Sequence, residues 1–450
     1  MKRFILLVLM VAMLATVPVY AQDGGVTVVI PNGEVVNVLC QDLTSQIVLK
    51  NGQLTCETIV VLPTATPTET PVVLPTATPV PPTPTATNTP VPTATKTPVP
   101  TATKTPVPAT ATPVPVTPVP VTPVPVGSGI WISQQEIMAL PTSGAGWSEV
   151  LAMANASAGS PSLSNQDSNN STYIMAKALV CARLNTQPYC GDVESALDTV
   201  ANGLPIDRAL ALGRELVGYV LSADIINLKE RNPTLDAKFR TEISALRTRT
   251  TKSGPDSLTV CDDDRPNNWG GHCGASRIAV DLYLGDRVDL DKAAKVLQGW
   301  LGDRAAYSGF SYGELWWQVD PSRPVGVLPV GAEIQGHNVD GFQPEEMRRA
   351  GSFAWPPKAT DYAWEGLQGR LASAYMLSRA GYDSKNWSDK AMLRAVEALY
   401  RIGWPAEGDD QWQPWLLNKM YGLYGTPDEI PTTGGGKGKN VGWTMWTHQP

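Results

Sequence analysis

A long run of proline and threonine divides this chain into parts that fold separately. Residues 63–126 repeat units such as Pro-Thr-Ala-Thr-Lys-Thr-Pro-Val and contain few residues that can build a core. This composition predicts a disordered but extended, polyproline-like linker. It is also typical of O-glycosylated stalks. We therefore expect one folded segment before the linker and another after it.

The N-terminus has the pattern of a secretory signal peptide. Lys2 and Arg3 precede an apolar stretch, and small residues end at Ala21, which predicts a signal peptide over residues 1–21 and cleavage before Gln22. No later apolar run is long enough to cross a bilayer, so we expect no stable membrane insertion after cleavage. The sequence predicts a secreted or cell-surface, extracytoplasmic protein.

Residues 22–62 alternate β-forming residues with turn residues. Candidate strands are Val26–Ile30, Ile47–Leu49 and Ile59–Val61, and Asn-Gly pairs at 32–33 and 51–52 are typical of tight turns. We expect a small β-rich unit here, with contact to a cell surface as one candidate role.

Six cysteines fall in close sequential couples. Fifteen pairings are possible, and short loops favour the local set, each bond contributing up to about 3 kcal/mol if unstrained. Because no Cys-x-x-Cys spacing is present, metal-binding thiolates are a weaker interpretation, and no metal or other cofactor is expected. The expected disulfides are Cys40–Cys56, Cys181–Cys190 and Cys261–Cys273.

Residues 127–450 form the large domain and contain all 14 tryptophans. Residues 1–126 carry five basic and five acidic residues, so the whole net charge of −7 lies in this domain. Nucleic acid is therefore excluded as an expected partner. An acidic domain can still bind an anionic ligand where a cleft gathers arginines, lysines and helix N-termini.

Apolar periodicity in this domain is helical almost throughout. Successive helices of this length predict a mainly α fold, an incomplete (α/α) toroid of helical hairpins with an open cleft at one end. A helical bundle or solenoid without a cleft is the alternative. One strand is expected at Arg323–Val330. The predicted helices are Gly146–Ala156, Thr172–Leu184, Val193–Asn202, Asp207–Ile226, Leu235–Thr248, Ala275–Leu284, Leu290–Leu301, Asp361–Arg379, Ser388–Ile402 and Gln411–Tyr421.

Residues 265–274 read as a polar, glycine-containing turn that leads into the helix starting near Ala275. Amide side chains and an imidazole beside a helix N-terminus suit a bound carboxylate. The alternative is an ordinary loop in which Asn268 caps the helix and His272 is a structural residue.

Three segments together resemble a known family. The Pro266-Asn267-Asn268-Trp269 turn, the segment Asp340–Arg349 and Tyr362 at the start of a helix are similar to the alginate lyases with an (α/α) toroid fold. The resemblance covers about Asp262 to Tyr382. It implies cleavage of an anionic, uronate-containing polysaccharide by β-elimination.

The resemblance also implies roles for individual residues. Asn268, helped by Arg349 or Arg348, would neutralise the uronate carboxylate, because charge grows on that group as the C5 proton leaves. Tyr362 would remove this proton and protonate the leaving oxygen. Trp269 stands where the family has a histidine, so either His272 or His337 would supply the imidazole.

The remaining candidates concern substrate binding and rival functions. Indole faces suit the apolar face of a pyranose. A glycoside hydrolase using Asp340, Glu345 and Glu346 is the first rival, and a noncatalytic glycan-binding or envelope protein is the second. The acidic triplet at 262–264 is a weak calcium candidate, and residues 434–439 read as a flexible, cationic segment beside the cleft. Candidate substrate-binding residues are Asn267, Trp269, His337, Arg348, Trp316, Trp317 and Trp355.

Overall fold

The computed structural model describes residues 129–450 and five strands nearer the N-terminus. It divides the chain into two units, Met1–Ala111 and Thr112–Pro450, which are described separately. The predicted linker, residues 1–18 of the predicted signal peptide, the predicted strand Ile59–Val61 and the Cys40–Cys56 pairing lie outside the described residues.

The described part of the first unit consists of antiparallel strands. Strands β1 (Val19–Gln22), β2 (Gly25–Val29) and β3 (Val35–Leu39) form one sheet in that order, and β4 (Ser45–Lys50) pairs with β5 (Gln53–Thr58). Lys50 pairs with Gln53, which leaves two residues between β4 and β5, the spacing of a tight hairpin. The predicted cleavage before Gln22 falls inside β1.

The second unit is mainly helical, and all ten predicted helices are present. Nine of them lie close to their predicted bounds, because each buries an apolar stripe whose period is visible in the sequence. Five short helices were not predicted. The helices are α1 (Gln134–Ala139), α2 (Ala145–Asn155), α3 (Asn170–Leu184), α4 (Tyr189–Ala201), α5 (Ala209–Ile225), α6 (Leu228–Arg231), α7 (Pro233–Leu246), α8 (Leu258–Asp264), α9 (Asn268–Leu284), α10 (Arg287–Trp300), α11 (Pro344–Met347), α12 (Tyr362–Arg379), α13 (Trp387–Arg401), α14 (Trp412–Tyr421) and α15 (Thr444–Thr447).

Helices α5, α9 and α12 pack with their backbones close together, and glycines make this possible. A Cβ on Gly213 of α5 would lie 2.8 Å from Cys273 N, and one on Gly369 of α12 would lie 2.2 Å from the carbonyl carbon of Gly271. Further along the same pair, Ser276 Oγ of α9 accepts a hydrogen bond from Val217 N of α5 (2.9 Å). Because both residue numbers increase together, α5 and α9 run parallel, with their N-termini at one end.

The last helix returns to the first ones. Helix α12 packs against α14, α14 against α15, and α15 against α2. Trp446 of α15 is fully buried, donates its indole N–H to Pro141 O (2.8 Å), and lies 5.1 Å from the ring of Trp147. Residues near the two ends of the second unit therefore share one core.

Two predicted disulfides are confirmed. Cys181–Cys190 joins α3 to α4, and Cys261–Cys273 joins α8 to α9. Among the described residues, no helix combines the length and apolar character needed to cross a membrane.

The predicted strand at Arg323–Val330 is wrong. This segment is irregular, and its backbone donors go to separate partners, Val327 N to Trp300 O (3.1 Å) and Leu328 N to Phe342 O (2.9 Å). β-branched residues fit this buried path without forming a ladder. The short strands β6 (Glu333–Ile334) and β7 (His337–Asn338) form a hairpin instead.

The predicted turn over residues 265–274 is also wrong from Asn268 onward. Helix α9 begins at Asn268, and the Asn267 side chain caps it by accepting a hydrogen bond from Trp269 N (3.1 Å). The glycines that suggested a turn are required by packing, since a Cβ on Gly270 would lie 1.9 Å from Arg265 O. Tertiary contact overrides low helix propensity here.

Candidate functional site

The close approach of α9 and α12 brings a histidine against a glutamate. His272 is fully buried on α9, and its Nε2 lies 3.0 Å from Oε1 of Glu365 on α12. Its Nδ1 has no hydrogen-bond partner in the described part of the chain. Burial lowers the pKa of His272, although the Glu365 hydrogen bond opposes this. The imidazole is therefore neutral and is oriented by Glu365.

Glu365 lies between cations from two other segments. Arg214 of α5 forms an ion pair with its Oε1, and Lys439 Nζ lies 2.9 Å from its Oε2. Burial raises the pKa of Glu365, but the His272 hydrogen bond and the two positive charges outweigh it and hold the pKa well below its usual range. Glu365 is thus a buried carboxylate that ties three segments together.

Glu365 and Lys439 were not among the predicted site residues. The one signal for Glu365 is an acidic residue in a helix whose small and apolar stripe predicts close packing against a neighbour. Lys439 belongs to the segment interpreted as flexible and cationic. Its backbone N donates to Gln368 Oε1 of α12 (3.0 Å), so contacts with α12 hold this residue.

Asn268 begins α9 and contacts the segment around α11. Its side chain is buried, and its backbone N donates to Glu346 Oε1 (2.5 Å). Asn268 Oδ1 and Glu346 Oε2 both lack hydrogen-bond partners among the described residues. Burial raises the pKa of Glu346 to about 8. At neutral pH, Glu346 therefore carries a proton.

The two neighbouring arginines take different positions. Arg348 forms ion pairs with Glu345 and Glu314. Arg349 is exposed, forms no ion pair within residues 129–450, and places its guanidinium 4.0 Å from the ring centroid of Tyr362. Tyr362 is 40% exposed. Of the two candidates, Arg349 is the arginine with a positive charge available to a ligand.

Residues 344–349 connect the predicted site residues, because Glu346 contacts Asn268 while Arg349 contacts Tyr362.

Neither protein-family models nor curated proteins gave a match to this chain. The function is therefore inferred from the chemistry of these side chains.

The predicted tryptophans differ in exposure. Trp316 is half exposed, and Trp355 is 39% exposed and stacks on His337 at 4.7 Å between ring centroids. Trp317 is buried, donates its N–H to Gly351 O (3.0 Å), and offers no free face. Trp269 is half-buried, with the Arg265 guanidinium 4.7 Å from its ring centroid.

The acidic triplet at 262–264 faces arginines. Asp262 lies 3.2 Å from both Arg277 and Arg370, and Asp263 lies 2.7 Å from Arg277. Within the described ranges, no group of three or more histidine, cysteine, aspartate or glutamate side chains is placed to hold a metal ion. Two of these carboxylates thus balance buried guanidinium groups.

Proposed function

We propose that residues 127–450 form an alginate lyase-like (α/α) toroid that cleaves a uronate-containing polysaccharide by β-elimination. The order of helix contacts, and the contact of α15 with α2, support an incomplete toroid of helical hairpins. The parallel arrangement of α5 and α9 places the first residues of both helices at one end. In such a ring, this end carries the cleft.

One observation carries the proposal: the free guanidinium of Arg349 lies over the exposed phenol of Tyr362, three residues after Glu346, which contacts Asn268. These residues come from three separated segments. A cation, an amide and a phenol are the groups that elimination from a uronate requires. Arg348, which is held in ion pairs, keeps the supporting segment in place.

In the proposed reaction, Arg349 binds the uronate carboxylate and stabilises the charge that grows on it, and the Asn268 amide, 3% exposed beside Glu346, completes the binding of this group. The Tyr362 oxygen, as the phenolate, takes the C5 proton, and the electron pair of that C–H bond forms the C4=C5 double bond. The C4–O bond breaks, and Tyr362 returns the proton to the leaving glycosidic oxygen. The products are a new chain end and an unsaturated uronate, without addition of water.

His272 has a supporting role in this proposal. It is fully buried, so its ring does not reach a sugar in this conformation. Its contact with Glu365 instead fixes the spacing between α9, which carries Asn268, and α12, which carries Tyr362. His337 is stacked on Trp355, and with Trp316 these rings form candidate platforms for neighbouring sugars.

The carboxylates of the hydrolase alternative are already engaged. Asp340 pairs with Arg394, and Glu345 pairs with Arg348. Glu346 is buried and bound to Asn268 N. A glycoside hydrolase needs two carboxyl groups that face a sugar. We therefore retain the lyase as the proposal.

We also propose that the chain is exported and that residues 63–126 separate the β-rich unit from the lyase domain. The signal-peptide pattern supports export, and the two disulfides are compatible with an extracytoplasmic location. A role for residues 22–62 in contacting a cell surface belongs to the same proposal.

The proposal is tested by incubating the protein with alginate, glucuronan, hyaluronan and neutral glucans. Near-ultraviolet absorbance from an unsaturated uronate is the expected result. Tyr362→Phe removes only the hydroxyl and should lower kcat by at least about 100-fold. Tyr189→Phe is the matched control, because Tyr189 also begins a helix but donates its hydroxyl to Asn155 at the end of α2.

Two results would sink the proposal. Reducing ends without new absorbance would indicate hydrolysis, and binding without any product would indicate a noncatalytic glycan-binding protein. Near-normal turnover by Tyr362→Phe would remove Tyr362 from the reaction while leaving the fold unaffected.

A further inference from the structure

A cavity opens beside Trp269, at the start of α9. It has a volume of about 500 Å³ and lies between the start of α5, the turn over residues 251–256, the end of α8 and Trp269. We call it the Trp269 cavity. Its volume is within the range of pockets that hold small molecules, about 300 to 1,000 Å³.

The walls of the Trp269 cavity contain polar groups that the protein leaves unpaired. Thr251 is 7% exposed, and its Oγ1 has no hydrogen-bond partner within the described chain. Arg208 is exposed and bonds only the neutral Gln166 side chain (3.0 Å), with no ion pair to residues 129–450. A buried hydroxyl without a partner is costly unless a ligand or water completes it.

The other lining groups include the carboxylates of Asp256 and Asp264, the guanidinium of Arg265 and the indole of Trp269. The Arg265 guanidinium covers part of the Trp269 indole at 4.7 Å, and its other contact is Asp256 at 2.8 Å. Asp256 Oδ1 accepts a hydrogen bond from Ser257 N. An indole beside fixed donors and acceptors is suited to a pyranose, which has an apolar face and a rim of hydroxyls.

The position of the cavity relates it to the proposed site. Trp269 directly follows Asn268 in the first turn of α9, and Arg208 directly precedes α5. Because α5 and α9 run parallel, both residues lie at the same end of the helices. The cavity and Asn268 therefore both lie at the N-terminal end of α9.

We propose that the Trp269 cavity binds a second uronate residue of the polymer, with its carboxylate on Arg208, a hydroxyl on Thr251 and its ring against Trp269. This inference rests on the proposed function, because it takes the cleaved sugar to lie at Asn268. It adds that the substrate carries at least two neighbouring uronates.

The test is calorimetric titration of full-length Tyr362→Phe protein with alginate and glucuronan oligosaccharides, with neutral gluco-oligosaccharides of equal length for comparison. Thr251→Val keeps the side-chain shape and should weaken binding about fivefold, the effect of one hydrogen bond. It should leave the unfolding midpoint unchanged or raised, because it removes an unpaired buried hydroxyl. Thr241→Val, at an exposed position on α7, is the matched control.

Arg208→Ala should weaken uronate binding by about tenfold, as expected for a charged hydrogen bond, and abolish the preference over neutral oligosaccharides. Wild-type affinity in both variants, or no binding of any oligouronate, would overturn the inference. Binding that depends on Arg208 and Thr251, in a protein that cleaves none of the polymers, would refute the lyase proposal but keep the cavity. Cleavage of a polymer together with unaltered binding in both variants would refute the cavity inference but keep the lyase proposal.

Discussion

At the residue scale, two pairs of adjacent residues of the same type occupy different environments. Asn267 caps α9 while Asn268 is buried against Glu346. Arg348 is held by carboxylates while Arg349 lies free over a phenol. The sequence supplies the residue types, but which member faces the cleft depends on where α9 and α11 begin. That choice is made by packing between segments about 80 residues apart in the chain.

Glu346 predicts a pH dependence of stability. Its pKa is raised by burial to about 8, although the hydrogen bond from Asn268 N and the charge of Arg349 oppose this, and Glu345 and Glu365 act in the same direction as burial. Between the unfolded value of 4.5 and about 8, the folded state holds a proton that the unfolded chain has released. The stabilisation that this proton provides is therefore fully present below pH 4.5 and is lost as the pH rises through about 8.

The Glu346→Gln variant tests this directly. A glutamine accepts a hydrogen bond from Asn268 N–H and donates one as the protonated acid does. The free energy of unfolding of the variant should therefore decline less than that of the wild type between about pH 5 and about pH 9. The difference in unfolding free energy across this range should be on the order of 1 kcal/mol or more. Arg370 also faces Glu346, and burial lowers the pKa of this arginine while Asp262 and Glu346 oppose the shift. Identical pH profiles for the two proteins would show that Glu346 is ionised in the folded state.

At the scale of elements, the glycines of α9 and α12 set the geometry of the site. Sequence rules interpret three glycines within residues 270–274 as a turn, because glycine lowers helix propensity. The same glycines let α9 approach its neighbours closely enough for His272 to meet Glu365. The error in the predicted start of α9 thus comes from a long-range contact that no local rule contains.

Gly369→Ala should separate α9 from α12. The new Cβ would lie 2.2 Å from a backbone carbon of Gly271, so we expect a loss of about 3 kcal/mol or failure to fold. Gly191→Ala, within α4, is the control. Its new Cβ would meet only the end of the exposed Gln187 side chain, which precedes this helix. That change should be neutral or slightly stabilising. Urea unfolding measures both, and equal stability of the two variants would contradict the close packing.

At the scale of the whole molecule, the helices were predictable and their arrangement was less so. Apolar periodicity locates the helices because each stripe repeats within one segment. The contacts of Lys439 with Glu365 and of Trp446 with Trp147 join residues far apart in the chain. Nothing in the local pattern of residues 434–447 indicates these partners. The sequence alone therefore predicts a flexible segment around Lys439.

Trp446→Ala tests the closure of the ring. Its indole is fully buried and bonded to Pro141 O, so truncation should cost about 3 to 5 kcal/mol of unfolding free energy. Trp316→Ala removes a half-exposed indole and should change stability by no more than about 0.5 kcal/mol. Thermal unfolding distinguishes the two, and similar midpoints would show that α15 adds little to the shared core.

The return of α15 to α2 also bears on how the chain acquires its shape. The residues around Trp147 keep an uncovered apolar face until those around Trp446 reach them. Because these two groups lie far apart in the sequence, their contact closes a long loop and is expected to form late in folding. Until it forms, the apolar face is open to contacts with other chains.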